Sequence, residues 1–158
     1  MFGANPIRKQ DLSGANELWV QEMFLTVQGE GPYSGEPSVF VRLAGCNLAC
    51  TFCDTDFETA FEDEVNLMSI MKIRDFVEAC MSAAKPRRVV LTGGEPLRQN
   101  ILPLLAILKS TGIPVQAETA GTLWIDGLED TGLDIIVSPK TGKVHKKIAE
   151  NAIAWMYI

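Results

Sequence analysis

Apolar residues run along this chain in two alternating rhythms. Leu18 to Val27 and Ser38 to Leu43 are short β-rich runs that read as strands, as does the β-branched stretch Arg88 to Thr92. Leu67 to Ala84 carries Ile70, Ile73, Val77 and Cys80 at helical spacing. Ile101 to Ser110 repeats apolar residues until Gly112 ends the helix, with Pro103 in its first turn. Val115 to Ala117, Asp134 to Val137 and Ala152 to Ile158 read as further strands, and Lys143 to Asn151 as a short helix between the last two. This alternation predicts an α/β fold, a mostly parallel sheet or partial barrel with helices outside. Loops at the carboxyl ends of such strands face one common cavity, and chemistry is expected there.

Composition narrows the class. The 158 residues suffice for one hydrophobic core, and no linker or compositional break divides them, so residues 1–158 are read as a single domain. A content of 47% hydrophobic and 22% charged residues describes a soluble globular protein, and a net charge of -6 argues against generic nucleic-acid binding. No run reaches signal-peptide or membrane-span length, so a cytoplasmic protein without a membrane partner is expected. The locally acidic stretch Glu58 to Glu64 reads as a solvated loop. The chain stops within the apolar run Ala152 to Ile158. Such an edge invites pairing, so a domain truncated at its C-terminal end, or one completed by a second copy as a homodimer, is the expectation.

The densest chemistry is Gly45-Cys-Asn-Leu-Ala-Cys-Thr-Phe-Cys-Asp54, which places Cys46, Cys50 and Cys53 in one loop after a strand. Three soft sulfur ligands without a nearby fourth suit an iron-sulfur cluster that leaves one iron open, because closed structural zinc sites take four ligands. The competing reading is a zinc site completed by His145 or Cys80. Cys80 also fits the apolar face of its helix, and His145 fits a surface helix in the Lys-rich segment Lys143 to Lys147. Trp19, Trp124 and Trp155 lie near strands as packing residues. Past Val89-Val90-Leu91 comes Thr92-Gly-Gly-Glu-Pro96, where glycines allow close backbone approach. Two more strand ends carry Glu118-Thr-Ala-Gly-Thr122 and Ser138-Pro139-Lys140. Alone, Glu118 and Lys140 would read as solvated or salt-bridged loop residues.

The cysteine pattern, with Phe52 between the second and third thiols, resembles the cluster-binding signature of radical S-adenosylmethionine (SAM) enzymes. The ordered set adds Glu22-Met-Phe, Val27-Gln-Gly-Glu-Gly31, Phe40-Val-Arg-Leu43, Thr92 to Pro96, Glu118 to Thr122 and Val137 to Lys140. It is similar to the 7-carboxy-7-deazaguanine synthase branch of that family. The resemblance implies an incomplete TIM-like barrel of the radical SAM type. It also implies a lyase converting 6-carboxy-5,6,7,8-tetrahydropterin, a small-molecule pterin, to 7-carboxy-7-deazaguanine with loss of ammonia, as in queuosine-type biosynthesis.

The cofactors implied are a 4Fe-4S cluster on Cys46, Cys50 and Cys53, SAM, and Mg2+ at Thr55. Without the family, Thr55 would read as a capping or turn residue. The SAM pocket implied is Phe52, Cys53, Asp54, Gly94, Glu95, Glu118, Ser138, Pro139 and Lys140, and the substrate contacts are Val27, Gln28, Gly29, Arg42 and Thr92. Arg42 suits a carboxylate through its planar fork, and could equally pair with Glu22 or Glu30. A flavodoxin-like reductant is the implied partner. The alternatives are a glycyl-radical-enzyme activase and a noncatalytic cluster-binding fragment.

Overall fold

The computed structural model describes residues 5–14 and 16–157. Seven strands form one sheet in the order β3-β1-β2-β4-β5-β6-β7. They are β1 (Glu17–Val27), β2 (Pro37–Leu43), β3 (Leu67–Ser69), β4 (Arg88–Gly93), β5 (Val115–Thr119), β6 (Asp134–Val137) and β7 (Ala152–Trp155). The three α-helices are α1 (Ile70–Ala84), α2 (Leu102–Lys109) and α3 (Lys146–Asn151). From β2 to β7 every neighbouring pair is parallel, while β1 pairs antiparallel with both β2 and β3. The sheet does not close, so the expected partial barrel is what forms.

Several boundaries differ from expectation for local reasons. The helix expected from Leu67 begins at Ile70, because Leu67–Ser69 pairs with Glu17–Trp19 and the Ser69 hydroxyl caps the helix by accepting from the Lys72 N–H at 3.2 Å. The short helix expected from Lys143 begins at Lys146, with the His145 ring nitrogen at the cap. Glu58 to Glu64 is not a plain loop. It includes a 3-10 turn with Ala60 buried, and Glu58 is bound to Arg8 at 2.6 Å. Ile158, last in the expected final strand, lies outside the described residues. No helix among the described residues is long and apolar enough to cross a membrane.

The two faces of the sheet are chemically different. One carries Val39, Val41, Leu43, Val89, Leu91, Ala117, Ile135 and Val137, packed against Ile73 and Val77 of α1, Leu104 and Leu108 of α2 and Ile148 of α3. A break in register sets the other face. Val20 sits opposite Leu43, yet Glu22 sits opposite Arg42, so Gln21 is the extra residue of a β-bulge. The bulge reverses the alternation. Val20 faces the helices with Leu43, while Glu22 faces the opposite side with Arg42.

The amino ends of the parallel strands are plugged. Arg88, buried at the start of β4, donates to Glu36 at 3.0 Å and Asp134 at 3.3 Å, and its guanidinium stacks 3.1 Å from the Tyr33 ring centre. Tyr33 in turn donates to Asp134 at 2.8 Å. The open end of the sheet is therefore the carboxyl end.

Candidate active site

The cysteine loop leaves β2 at Leu43, and the Gly93-Gly94 turn leaves the adjacent β4 beside it. A Cβ on Gly94 would lie 2.1 Å from the Gly45 carbonyl oxygen, and one on Gly93 2.1 Å from that of Leu43. The close approach that these glycines permit is thus to the base of the cysteine loop. Backbone bonds fasten it there: Gly94 N–H to Leu43 O at 3.1 Å and Glu95 N–H to Gly45 O at 3.0 Å.

Above these turns lies a cavity of about 360 Å³. Cys46, Cys50 and Cys53 line it, joined by Phe52, Asp54, Thr92, Gly94, Glu118, Ser138 and Lys140. Four strand ends therefore deliver ten of the residues singled out in the sequence to one place. The Lys140 ammonium donates to the Ser138 hydroxyl at 2.5 Å across the turn.

Other expected site residues sit elsewhere. Glu95 is fully buried beneath the wall rather than on it. Its carboxylate accepts from the Leu97 N–H at 3.0 Å, the Ala120 N–H at 2.9 Å and the Thr119 hydroxyl at 2.8 Å. Burial pushes its pKa up, against the pull of those donors. It braces the β4 turn against the end of β5. Pro139 lies between two lining residues but is not one itself. Thr55 donates its hydroxyl to Asp54 at 2.9 Å.

Of the expected substrate contacts, Val27 and Gly29 are exposed. Gln28 is buried, and its amide donates to Glu118 at 2.7 Å. Gln116 reaches the same oxygen at 3.1 Å, and the Thr92 hydroxyl donates to the other at 3.1 Å. Glu118 is therefore gripped from three sides, next to Gln28 and Thr92. Arg42 is ion-paired to Glu22 at 2.8 Å, one of the two pairings open to it.

Neither fourth ligand of the zinc alternative lines the cavity with the three thiols. His145 stacks on Trp124, with ring centres 6.2 Å apart, and Cys80 packs against the helix-side core. Among the described residues no three His, Cys, Asp or Glu side chains converge as ligands of a single metal ion. The three thiols instead line the one cavity, and three thiolate donors without a fourth suit a polynuclear group. Burial, helped by Glu95 and the other two cysteines, raises the Cys46 thiol to about 11, so its thiolate needs a bound cation to persist. The donor set fits a cluster. The loop is also supported by a residue that periodicity could not flag: Asn5 donates to Cys53 Sγ at 3.4 Å and Thr55 O at 2.7 Å, and accepts from the Phe57 N–H at 2.7 Å. Glu30, Leu48, Phe57 and Met156 also line the cavity and were not anticipated.

Residues 40–148 match the radical SAM superfamily, and the chain belongs to that superfamily. Membership implies a 4Fe-4S cluster and SAM, and the three thiols with the adjoining polar cavity fit both. The chain is 47% identical over its whole length to the 7-carboxy-7-deazaguanine synthase of Rhodospirillum rubrum, covering 65% of that protein. It is 41% identical over 97% of its length to the enzyme of that name from Rickettsia prowazekii, covering 64%. The crystal structure of QueE from Escherichia coli superposes with a TM-score of 0.75 at 28% identity, across 89% of this chain and 70% of that one. The chain thus spans about two thirds of the length of these relatives.

Proposed function

We propose that this chain carries the catalytic core of a 7-carboxy-7-deazaguanine synthase, a lyase acting on 6-carboxy-5,6,7,8-tetrahydropterin. The observation that carries the reading is the Glu118 cluster. A carboxylate held by Gln28, Gln116 and Thr92 lines the same cavity as three thiols. A positioned carboxylate accepts N–H donors, and a pterin edge presents them. The cavity, about 360 Å³, is of a size that suits a small molecule.

Bound on Cys46, Cys50 and Cys53, the cluster with SAM would supply the one-electron cleavage that starts radical chemistry. The chain's own residues bind, orient and exclude water. Ser138 and Lys140 offer a hydroxyl and an ammonium to the polar groups of SAM. Phe52 and Asp54 flank it, and Gly94, which lines the cavity, lets the β4 turn pack against the base of the cysteine loop. Thr92 orients the pterin, and Glu118, expected in the SAM pocket, is read instead as its partner because it is bonded to Gln28 and Thr92, while Arg42 can exchange Glu22 for the substrate carboxylate. Thr55, with the Asp54 carboxylate beside it, offers oxygen donors of the kind Mg2+ prefers.

The single continuous core supports reading the chain as one domain. A flavodoxin-like reductant and a homodimer follow from the same reading. Reduction assays with such a donor test the first, and sedimentation of the loaded protein tests the second.

The decisive experiment is anaerobic reconstitution followed by dithionite, SAM, Mg2+ and the carboxylated pterin, with the product followed by mass spectrometry. 7-Carboxy-7-deazaguanine that disappears in Cys50→Ala is the expected result. A loaded cluster that cleaves SAM and leaves the pterin untouched would sink the substrate assignment.

A further inference from the structure

Arg98 ends the 3-10 turn Pro96–Arg98 behind the Gly93-Gly94 turn, and the mechanism above makes no use of it. It is only 5% exposed. Its guanidinium donates to two backbone carbonyls, Ala44 at 3.3 Å and Lys9 at 3.4 Å, and its buried Nε has no partner among the described residues. The nearby carboxylates are committed elsewhere, Glu58 to Arg8 at 2.6 Å and Asp11 to the Ser13 hydroxyl at 2.6 Å. A buried cation without a close counter-ion is costly and calls for a reason.

The reason lies in what the guanidinium faces. A Cβ on Gly45 would lie 2.9 Å from Arg98 Nε and 3.2 Å from Cζ, so the charge packs directly against the residue that precedes Cys46. Arg98 does not line the cavity. It meets the cysteine loop at Gly45 and at the Ala44 carbonyl, while the three thiols line the cavity. Three thiolates bring negative charge to that loop, and reduction of a cluster on them adds one more. A fixed positive charge close behind the loop stabilises the added electron, and burial protects that interaction from salt.

We propose that Arg98 is a built-in counter-charge for the cluster loop, a positioning residue that raises the reduction potential of the bound cluster without touching it. The inference rests on the radical SAM reading of the three thiols. Glu58 modulates it, because Glu58 neutralises Arg8, the second guanidinium of this corner. Arg8 lies 3.8 Å over the Phe61 ring, and Arg98 lies 5.8 Å from the same ring.

The test is a potentiometric titration of the anaerobically reconstituted chain, read by the EPR signal of the reduced cluster, for the unmutated protein, Arg98→Met, Arg98→Lys and Glu58→Gln. In Arg98→Met the ratio of reduced to oxidised cluster at a fixed potential is expected to fall about tenfold, a shift of about 59 mV for one electron. Arg98→Lys should restore most of it. Glu58→Gln, which frees the Arg8 charge, should move the potential the opposite way. Loaded Arg98→Met and Glu58→Gln proteins with the unmutated potential would overturn the proposal. Should Arg98→Met fail to fold, Arg98→Gln takes its place, since its amide can still donate to the backbone carbonyls without the charge, and an unchanged potential in that loaded variant overturns the proposal. An unmutated chain that takes up no iron or sulfide would overturn the cofactor reading and this inference with it, a result distinct from an unmoved potential on a loaded cluster.

Discussion

Leu91 and Thr92 are neighbours in one strand and belong to different problems. Leu91 is fully buried against the helices, while Thr92 points into the cavity and bonds Glu118. The same division runs across the sheet, from Leu43 against Arg42 in β2 to Ala117 against Glu118 in β5. One face is held by volume and apolar area, where the identity of a side chain matters little beyond its shape. The other is apolar toward the amino ends of the strands, where Val90 and Ile136 are buried, and toward the carboxyl ends it is held by directional bonds among a few polar groups, where identity decides function. Stability and chemistry are thus separated by a single side-chain alternation.

The sharpest way to break that separation is on the apolar side. Leu91→Ala should destabilise the protein by about 2 to 5 kcal/mol, since a fully buried leucine leaves a cavity that the sheet cannot collapse. Urea denaturation of the metal-free chain would measure this. Any of the variant that remains folded should still load iron and bind SAM. A folded variant that had lost SAM binding would show that the two faces are coupled.

Thr92→Val inverts the expectation. The side chain keeps its shape, so stability should fall by only about 1 kcal/mol, from the hydrogen bond to Glu118 that is lost. Catalytic efficiency toward the proposed pterin substrate should fall about 10- to 100-fold, equivalent to about 1.4 to 2.7 kcal/mol of transition-state binding. SAM cleavage without substrate should be little changed. A loss confined to stability would return Thr92 to the structural side.

Asn5→Ala should have an intermediate effect. Asn5 ties together Cys53, Thr55 and Phe57 from a segment distant in sequence, so its removal should lower iron retention by a few-fold while the sheet stays intact. Iron content after repeated desalting is the measure, and full retention would reduce Asn5 to a packing contact with no part in holding the cluster.

The division also explains what could be read in advance. Strands β4 and β6 were legible because parallel strands are buried on both faces and run as unbroken apolar stretches. The cysteine loop was legible because its ligand spacing is local. The bulge at Gln21 was not, since nothing in Leu18 to Val27 marks which residue lacks a partner, yet that bulge puts Glu22 on the site face. Ser69 escaped notice as a helix cap because Leu67 and Met68 extend the apolar pattern into the helix. Glu95 was placed on the cavity wall by its motif, and only the packing of β4 against β5 reveals it as a buried brace. Arg98 lay two residues past that motif, with no local sign that it would end behind Gly45.

The smallest effect on stability belongs to the pair at the boundary between the two faces. Arg42 and Glu22 are 2.8 Å apart but 30% and 48% exposed, so as a structural ion pair they contribute less than about 1 kcal/mol. Glu22→Gln should therefore leave the denaturation midpoint nearly unchanged. If Arg42 trades Glu22 for a substrate carboxylate, the same change frees the guanidinium and should lower KM for the carboxylated pterin by a few-fold, with kcat held. Arg42→Ala should raise KM by at least tenfold with a similarly small cost in stability. Equal KM values in the two variants would confine Arg42 to its pairing with Glu22, and the polar face would then begin at Thr92.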